Sequence, residues 1–219
     1  MQLKLAPWAL LAVAAMWGIS FVWMKDILDQ QDVYSFLTSR FIFAALAMII
    51  IKPKVLKLFT KELVSKGFII GLALGSGYIF QTLGLDRTTP AITGFITGLY
   101  VVITPLIAAL LLKERVTLTM WGFILLAVVG LAVLSVHGWS VGFGEFLVFI
   151  SAILFAVHII MLGAWSKNFD AYALTVMQLI GCAFLSAIPA GINGLTLPLI
   201  LKFGQSSSSQ LYLLQRLPL

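Results

Sequence analysis

Residues 90–112 read PAITGFITGLYVVITPLIAALLL, and no charged side chain interrupts them. A hydrocarbon core about 30 Å thick is crossed by about 20 apolar residues in a helix, within a range of about 17–25. This run is long enough to span a bilayer. It is too long, and lacks the period-2 alternation, to be a strand of a membrane barrel. Six further runs of the same kind lie at 5–24, 34–51, 67–85, 118–136, 143–163 and 172–193. Turn and charge signals separate them. Lys52-Pro53-Lys54 closes the second run, and Thr89-Pro90 opens the fourth with proline where a helix has no use for its N–H. The expected fold is all-α: a polytopic integral membrane helix bundle of about seven transmembrane helices.

Composition agrees. Of 219 residues, 61% are hydrophobic and 10% charged, where soluble domains carry about 45–50% and about 25%. A mean hydropathy of +1.09 makes lipid the solvent for most of the chain. Trp8, Trp23, Tyr34, Trp121, Trp139, Trp165 and Tyr172 fall near run ends, as interfacial anchors do. Lys4 and Ala12-Val13-Ala14 resemble parts of a cleavable signal, but the apolar stretch continues to Met24, so the run is read as a retained helix. The single cysteine, Cys182, allows no disulfide within the chain. The net charge of +6 resides in short loops and not on a basic face, so nucleic acid is not an expected partner; the lipid bilayer is.

The basic residues set an expected orientation. Lys4, Lys52, Lys54, Lys57, Lys61, Lys66, Lys113, Arg115 and Lys167, nine in all, precede the first run or occupy even-numbered loops. Lys25, Arg87, Lys202 and Arg216, four in all, lie on the other side. The N-terminus is therefore expected in the cytoplasm.

An offset of 138 residues aligns the first two runs with the last two. Asp32-Val33-Tyr34 falls on Asp170-Ala171-Tyr172, and Ala14, Ala45 and Ile50 fall on Ala152, Ala183 and Ile188. Five helices separate the copies, so equivalent helices cross in opposite directions. Such inverted repeats are a common carrier plan, with the solute site at their interface. The expected organisation is a first five-helix repeat at 1–137, a partial second repeat at 138–193, and a serine-containing tail at 194–219. Only two helices of the second unit are present, so truncation or frameshift near residue 202 is expected, against a genuine seven-span chain.

Several stretches, in order, resemble the EamA family of the drug/metabolite transporter superfamily. They are Trp17-Gly18-Ile19-Ser20-Phe21, Arg40-Phe41, Gln81-x-x-Gly84-Leu85, Pro105-Leu106-Ile107-Ala108, Leu112-Lys113-Glu114-Arg115, Trp121-Gly122 and Gly130. The similarity covers about residues 6–193. It implies ten helices in two inverted repeats, both termini cytoplasmic, and export or exchange of small organic solutes across a bacterial inner membrane. The eighth to tenth helices of that plan, which help to line the cavity in relatives, have no counterpart in this sequence.

Candidate residues follow from polarity inside apolar runs. Thr93, Thr97, Tyr100 and Thr104, at i, i+4, i+7 and i+11, share one helical face and are expected to line a pathway or to bond their own helix. Pro105 is the expected site of a bend. Gly71 and Gly75, with Gly67, and likewise Gly94 and Gly98, have the spacing that lets helix backbones approach. Tyr78 and Gln81 could present hydrogen-bonding groups to a solute, and Trp17 and Phe21 an apolar wall. Arg40 is the one formal charge well inside a run. It is read as a gating or structural charge, paired with Asp32 or Asp86, or else snorkelling to the interface. His158, mid-helix with Ser151 and Phe155 on its face, is the candidate proton-handling group or a buried core histidine.

Other classes fit less well. There is no Walker A, no H-E-x-x-H and no cysteine pair, so neither a metal, a cofactor nor a catalytic residue is expected. Gly75-Ser76-Gly77 with His158 could form a serine–histidine dyad, but Leu74 breaks the glycine-x-serine-glycine form. A retinal protein would need a lysine in run 172–193, which has none. The expected function is a secondary transporter working by alternating access. Its solute would be an amino acid, a nucleobase or a drug-like molecule, and a homodimer is compatible with it. The alternative is an inactive fragment of such a transporter.

Overall fold

The computed structural model describes residues 6–112, 118–135 and 142–194. Among them the chain forms eight α-helices: α1 Ala6–Leu28, α2 Val33–Ile51, α3 Lys61–Leu85, α4 Pro90–Gly98, α5 Tyr100–Leu112, α6 Leu118–Ser135, α7 Phe143–Trp165 and α8 Ala171–Asn193. Short 3-10 turns cover Pro53–Leu58 and Ser166–Asn168. Among the described residues, all seven apolar runs fall on helices. By length and composition, Val33–Ile51, Lys61–Leu85, Pro90–Leu111, Phe143–Asn168 and Ala171–Asn193 can each cross a membrane. Several sequence-level expectations lie outside the described residues: the boundary at 137/138, Lys4, Lys113 to Arg115, Trp139, and the tail from 195 onward with the break near 202.

The fourth run divides into two helices at Leu99, and Pro105 sits inside α5. Leu99 N–H bonds to Ile96 O, and Val102 N–H turns back to Leu99 O at 2.9 Å, so the chain tightens there into i−3 bonding. Gly94 and Gly98 precede the break and carry the weakest helix propensity short of proline.

Helix ends are capped by the residues that punctuate the sequence. Asp32 accepts from the N–H groups of Tyr34 and Ser35, and Asp170 from that of Ala173. The aligned Asp-x-Tyr motifs thus do the same work, each satisfying orphan donors at a helix start. Thr60 caps α3 and Thr89 caps α4 in the same way. Lys25, in the last turns of α1, donates from Nζ to Leu85 O at 2.9 Å and Asp86 O at 2.6 Å, neutralising the C-terminal carbonyls of α3.

These contacts fix the two ends of the bundle. The end of α1 meets the end of α3, and Thr88, just before α4, donates to Glu145 in the first turn of α7. At the other end Tyr172 Oη donates to Met48 O at 2.6 Å, and Lys66 of α3 lies over the rings of Trp165 and Phe169. The α1–α2 hairpin therefore runs opposite to the α7–α8 hairpin.

The packing centre is α3, which lies against α7 and α8, while α2 packs along α8 and α1 rests on α4. Contact with α8 is backbone to backbone. A Cβ on Gly71 would stand 2.5 Å from Gln178 O, and one on Gly75 would stand 3.0 Å from Cys182 Cα. On the α7 side a Cβ on Gly84 would meet Val148 Cγ2 at 2.5 Å. Large apolar side chains such as Phe43, Leu46, Ile50, Leu110, Phe146 and Phe149 are exposed on the outside. Patches of this extent are rare on soluble monomers. Lipid is what wets them.

Candidate functional site

Inside this bundle is a cavity of about 500 Å³. Three helices contribute stripes with helical spacing, Trp17, Ser20, Phe21 and Met24 from α1, Leu74, Tyr78 and Gln81 from α3, and Phe155, His158 and Ile159 from α7, while Tyr100 enters from α5 and Arg40 from α2. The volume falls within the range of about 300–1,000 Å³ typical of small-molecule sites.

An aromatic column forms one wall. The Tyr78 ring lies between Phe41 and Phe155, with centroids 5.2 Å away on each side, tilted against the first and edge-on to the second. Arg40 places its guanidinium carbon 5.4 Å from the Tyr78 centroid and 5.9 Å from that of Phe41. Its Nη1 approaches Met24 Sδ at 3.5 Å. This corrects the expected charge pair. Asp32 spends its carboxylate on capping α2, and Asp86 lies 3.7 Å from Arg87. The guanidinium lies beside Tyr78, seven residues inside the end of α3, and near Met24, four residues inside the end of α1, and Arg40 itself is exposed.

Two polar bridges cross the apolar interior. Gln81, buried on α3, donates from Nε2 to Thr97 Oγ1 on α4 at 3.0 Å. His158 Nε2 on α7 donates to Gln178 Oε1 on α8 at 2.8 Å, and the Gln178 amide nitrogen turns to Leu174 O. Buried amides require such partners, since an unmade hydrogen bond costs about 1–3 kcal/mol. Ser76 donates to Leu72 O one turn back, and does not meet His158 as a dyad would require.

Of the residues singled out from sequence, the cavity brings together Trp17, Phe21, Arg40, Tyr78, Gln81, Tyr100 and His158. Thr97 reaches it through Gln81. Thr104 does not: its hydroxyl donates to Tyr100 O one turn back on its own helix. Gly94 lies beneath the Phe21 ring at ordinary contact distance, whereas Gly98 has no atom within 4 Å of a Cβ position. Among the described residues Gly98 lines a second cavity of about 550 Å³ between α1 and α4–α5. Sequence reasoning passed over Ser20, Met24 and Gln178. The first two continue the α1 stripe at i+3 and i+7 from Trp17, and the third is an isolated amide in an apolar run.

A third cavity, about 360 Å³, is lined by Leu162 of α7, by Ser166 in the turn that follows it, and by Leu174, Gln178 and Leu179 of α8. Leu74 borders both this cavity and the central one, and His158 and Gln178 meet between the two. Positions 155, 158, 159 and 162 form one face of α7, with Ser166 just beyond its end, so the cavities follow each other along that helix.

Comparison with known proteins agrees with this architecture. Residues 4–136 match the model of the EamA-like transporter family. An uncharacterized transporter of Archaeoglobus fulgidus is 36% identical over 184 residues, covering 83% of this chain and 56% of the relative. The chain thus spans a little over half the length of that curated relative. No solved structure matches it significantly. A multi-pass helix bundle, the ordered motifs of its first five runs and the family match lead to one assignment: the chain belongs to the EamA-like transporter family of the drug/metabolite transporter superfamily.

Proposed function

We propose that this chain is a secondary transporter that moves small organic metabolites or drug-like molecules across the cytoplasmic membrane by alternating access. The observation that carries the reading is the central cavity, which has apolar walls, a few convergent polar groups and a volume suited to one small solute. The smaller cavity beyond Leu74 continues toward the end where Lys52, Lys61 and Lys66 cluster. In this reading the His158–Gln178 bond and Leu74 form the inner gate, and the outer opening lies toward Arg40. The α1–α2 and α7–α8 hairpins act as equivalent parts of two inverted repeats that rock about α3. The lysine-rich end faces the cytoplasm of a bacterial cell, and the N-terminus with it. Amino acids, nucleobases and aromatic drugs all fit the volume.

The test is efflux from liposomes loaded with a mixture of such solutes and read by mass spectrometry. At least one solute should leave faster than from protein-free liposomes, and Ser20→Trp, which fills the cavity, should remove the excess. Equal rates with and without protein would overturn the reading. For the gate, His158→Cys with Gln178→Cys in a Cys182→Ser background should stop flux when oxidised and restore it when reduced.

A further inference from the structure

We infer that the central cavity selects solutes carrying a single carboxylate on an apolar body, with Arg40 as the group that binds it; the inference rests on reading that cavity as the solute pathway. Arg40 lies seven residues inside α2, about 10 Å below the helix start at a rise of about 1.5 Å per residue. Its side chain is exposed rather than buried, and an arginine within a span still favours a compensating partner. Among the described residues only part of one is present. The Tyr78 and Phe41 rings stabilise the positive charge, but they do not meet the in-plane donor fork of the guanidinium. Of its five N–H donors, one is directed at a thioether sulfur, a weak acceptor.

Among the described residues no carboxylate completes the set. The described cavity lining contains Arg40 and no aspartate or glutamate. Among the described residues, the ion pairs are Lys66–Glu62 and Arg87–Asp86, and neither includes Arg40. A planar fork with free donors matches the two oxygens of a carboxylate bidentately, which a lysine in the same place would not do. The surroundings narrow the class further. One positive charge among aromatic and aliphatic walls balances one negative charge, whereas a phosphate dianion would be left half-neutralised in an apolar site. Trp17, Phe21 and Phe155 are placed to cover the body of such an acid while its head meets Arg40.

The experiment measures equilibrium binding of radiolabelled phenylacetate, benzoate and indole-3-acetate to the full chain in nanodiscs. Phenylacetamide and phenethylamine serve as competitors of matched shape. At least one acid should bind at least about tenfold more tightly than the matched amide, the scale of a charge-assisted hydrogen bond, and the amine should compete least. Arg40→Gln should bring acid and amide to within about twofold, and Arg40→Lys should recover only part of the preference. Should Arg40→Gln not fold, the wild-type acid-to-amide ratio and the Arg40→Lys variant decide alone. Amide or amine binding as tight as the acids, no acid binding, or an acid preference that survives Arg40→Gln would overturn the inference. Vesicles that release neutral solutes without acid preference would overturn it and leave the transporter reading standing. Acid binding without any flux would do the reverse.

Discussion

The two sides of α3 are built differently, although glycines spaced four apart serve both neighbourhoods. Against α8 the glycines disappear into contact, with Gly71 and Gly75 pressed on the backbone of Gln178 and Cys182. Across the cavity, on α4, Gly94 meets a single ring and Gly98 meets nothing among the described residues. Cavities of about 500 and 550 Å³ lie on this second side. Glycine spacing alone therefore does not say whether helices touch. On one side the missing side chain admits a helix; on the other it leaves space, and the helices there are held by fewer ties.

The contrast predicts its largest effect at Gly71. A leucine there would drive atoms into the α8 main chain, which cannot rotate away as a side chain could. Gly71→Leu is expected to destabilise by about 3 kcal/mol or more, the upper range of overpacking. Thermal or SDS unfolding of the purified chain measures it. A Gly71→Leu variant as stable as the parent would mean that α3 and α8 do not cross where Gly71 meets Gln178.

On the open side the principal polar tie is Gln81 to Thr97. Gln81→Leu and Thr97→Val should each destabilise, and a double-mutant cycle should return a coupling of about 0.6–1.7 kcal/mol, the span measured for interhelical hydrogen bonds in membranes. Zero coupling would show that α4 is held by apolar contact alone.

The helix starts supply the next comparison. Asp32→Ala and Asp170→Ala should each cost about 1 kcal/mol through lost capping. The capping roles match at the aligned positions, but Asp32 is seen accepting two N–H bonds and Asp170 one, so Asp32→Ala should cost the more.

How much of this was legible in the sequence depends on whether the signal is local. The helices were, because an uninterrupted apolar run has one low-energy form in lipid. The caps were, since Asp-x-Tyr and Thr-Pro act within one turn. Much of the cavity lining was too, because Trp17, Phe21, Tyr78, Gln81 and His158 stand out within apolar helices. What was not legible is which faces meet. Arg40 drew a search for carboxylates because charge pairs are read from composition, yet its neighbours are rings contributed by α2 and α3. His158 could not announce Gln178, twenty residues away on another helix. The break at Leu99 was masked by Pro105, the stronger local signal, which α5 accommodates.

Gly98 carries the smallest and most discriminating expectation. Its backbone is helical and a Cβ there would meet no described atom within 4 Å, so alanine fits without strain against the described residues. Gly98→Ala should reduce the freedom of the unfolded chain and stabilise by about 0.4–1 kcal/mol. Gly75→Ala, with Cys182 Cα at 3.0 Å from the new carbon, should instead destabilise. Opposite signs from the same chemical change, read in one unfolding assay, would establish that the α3–α8 face is closed and the α4 face open. A destabilising Gly98→Ala would place an unseen neighbour against α4 and shrink the cavity beside it.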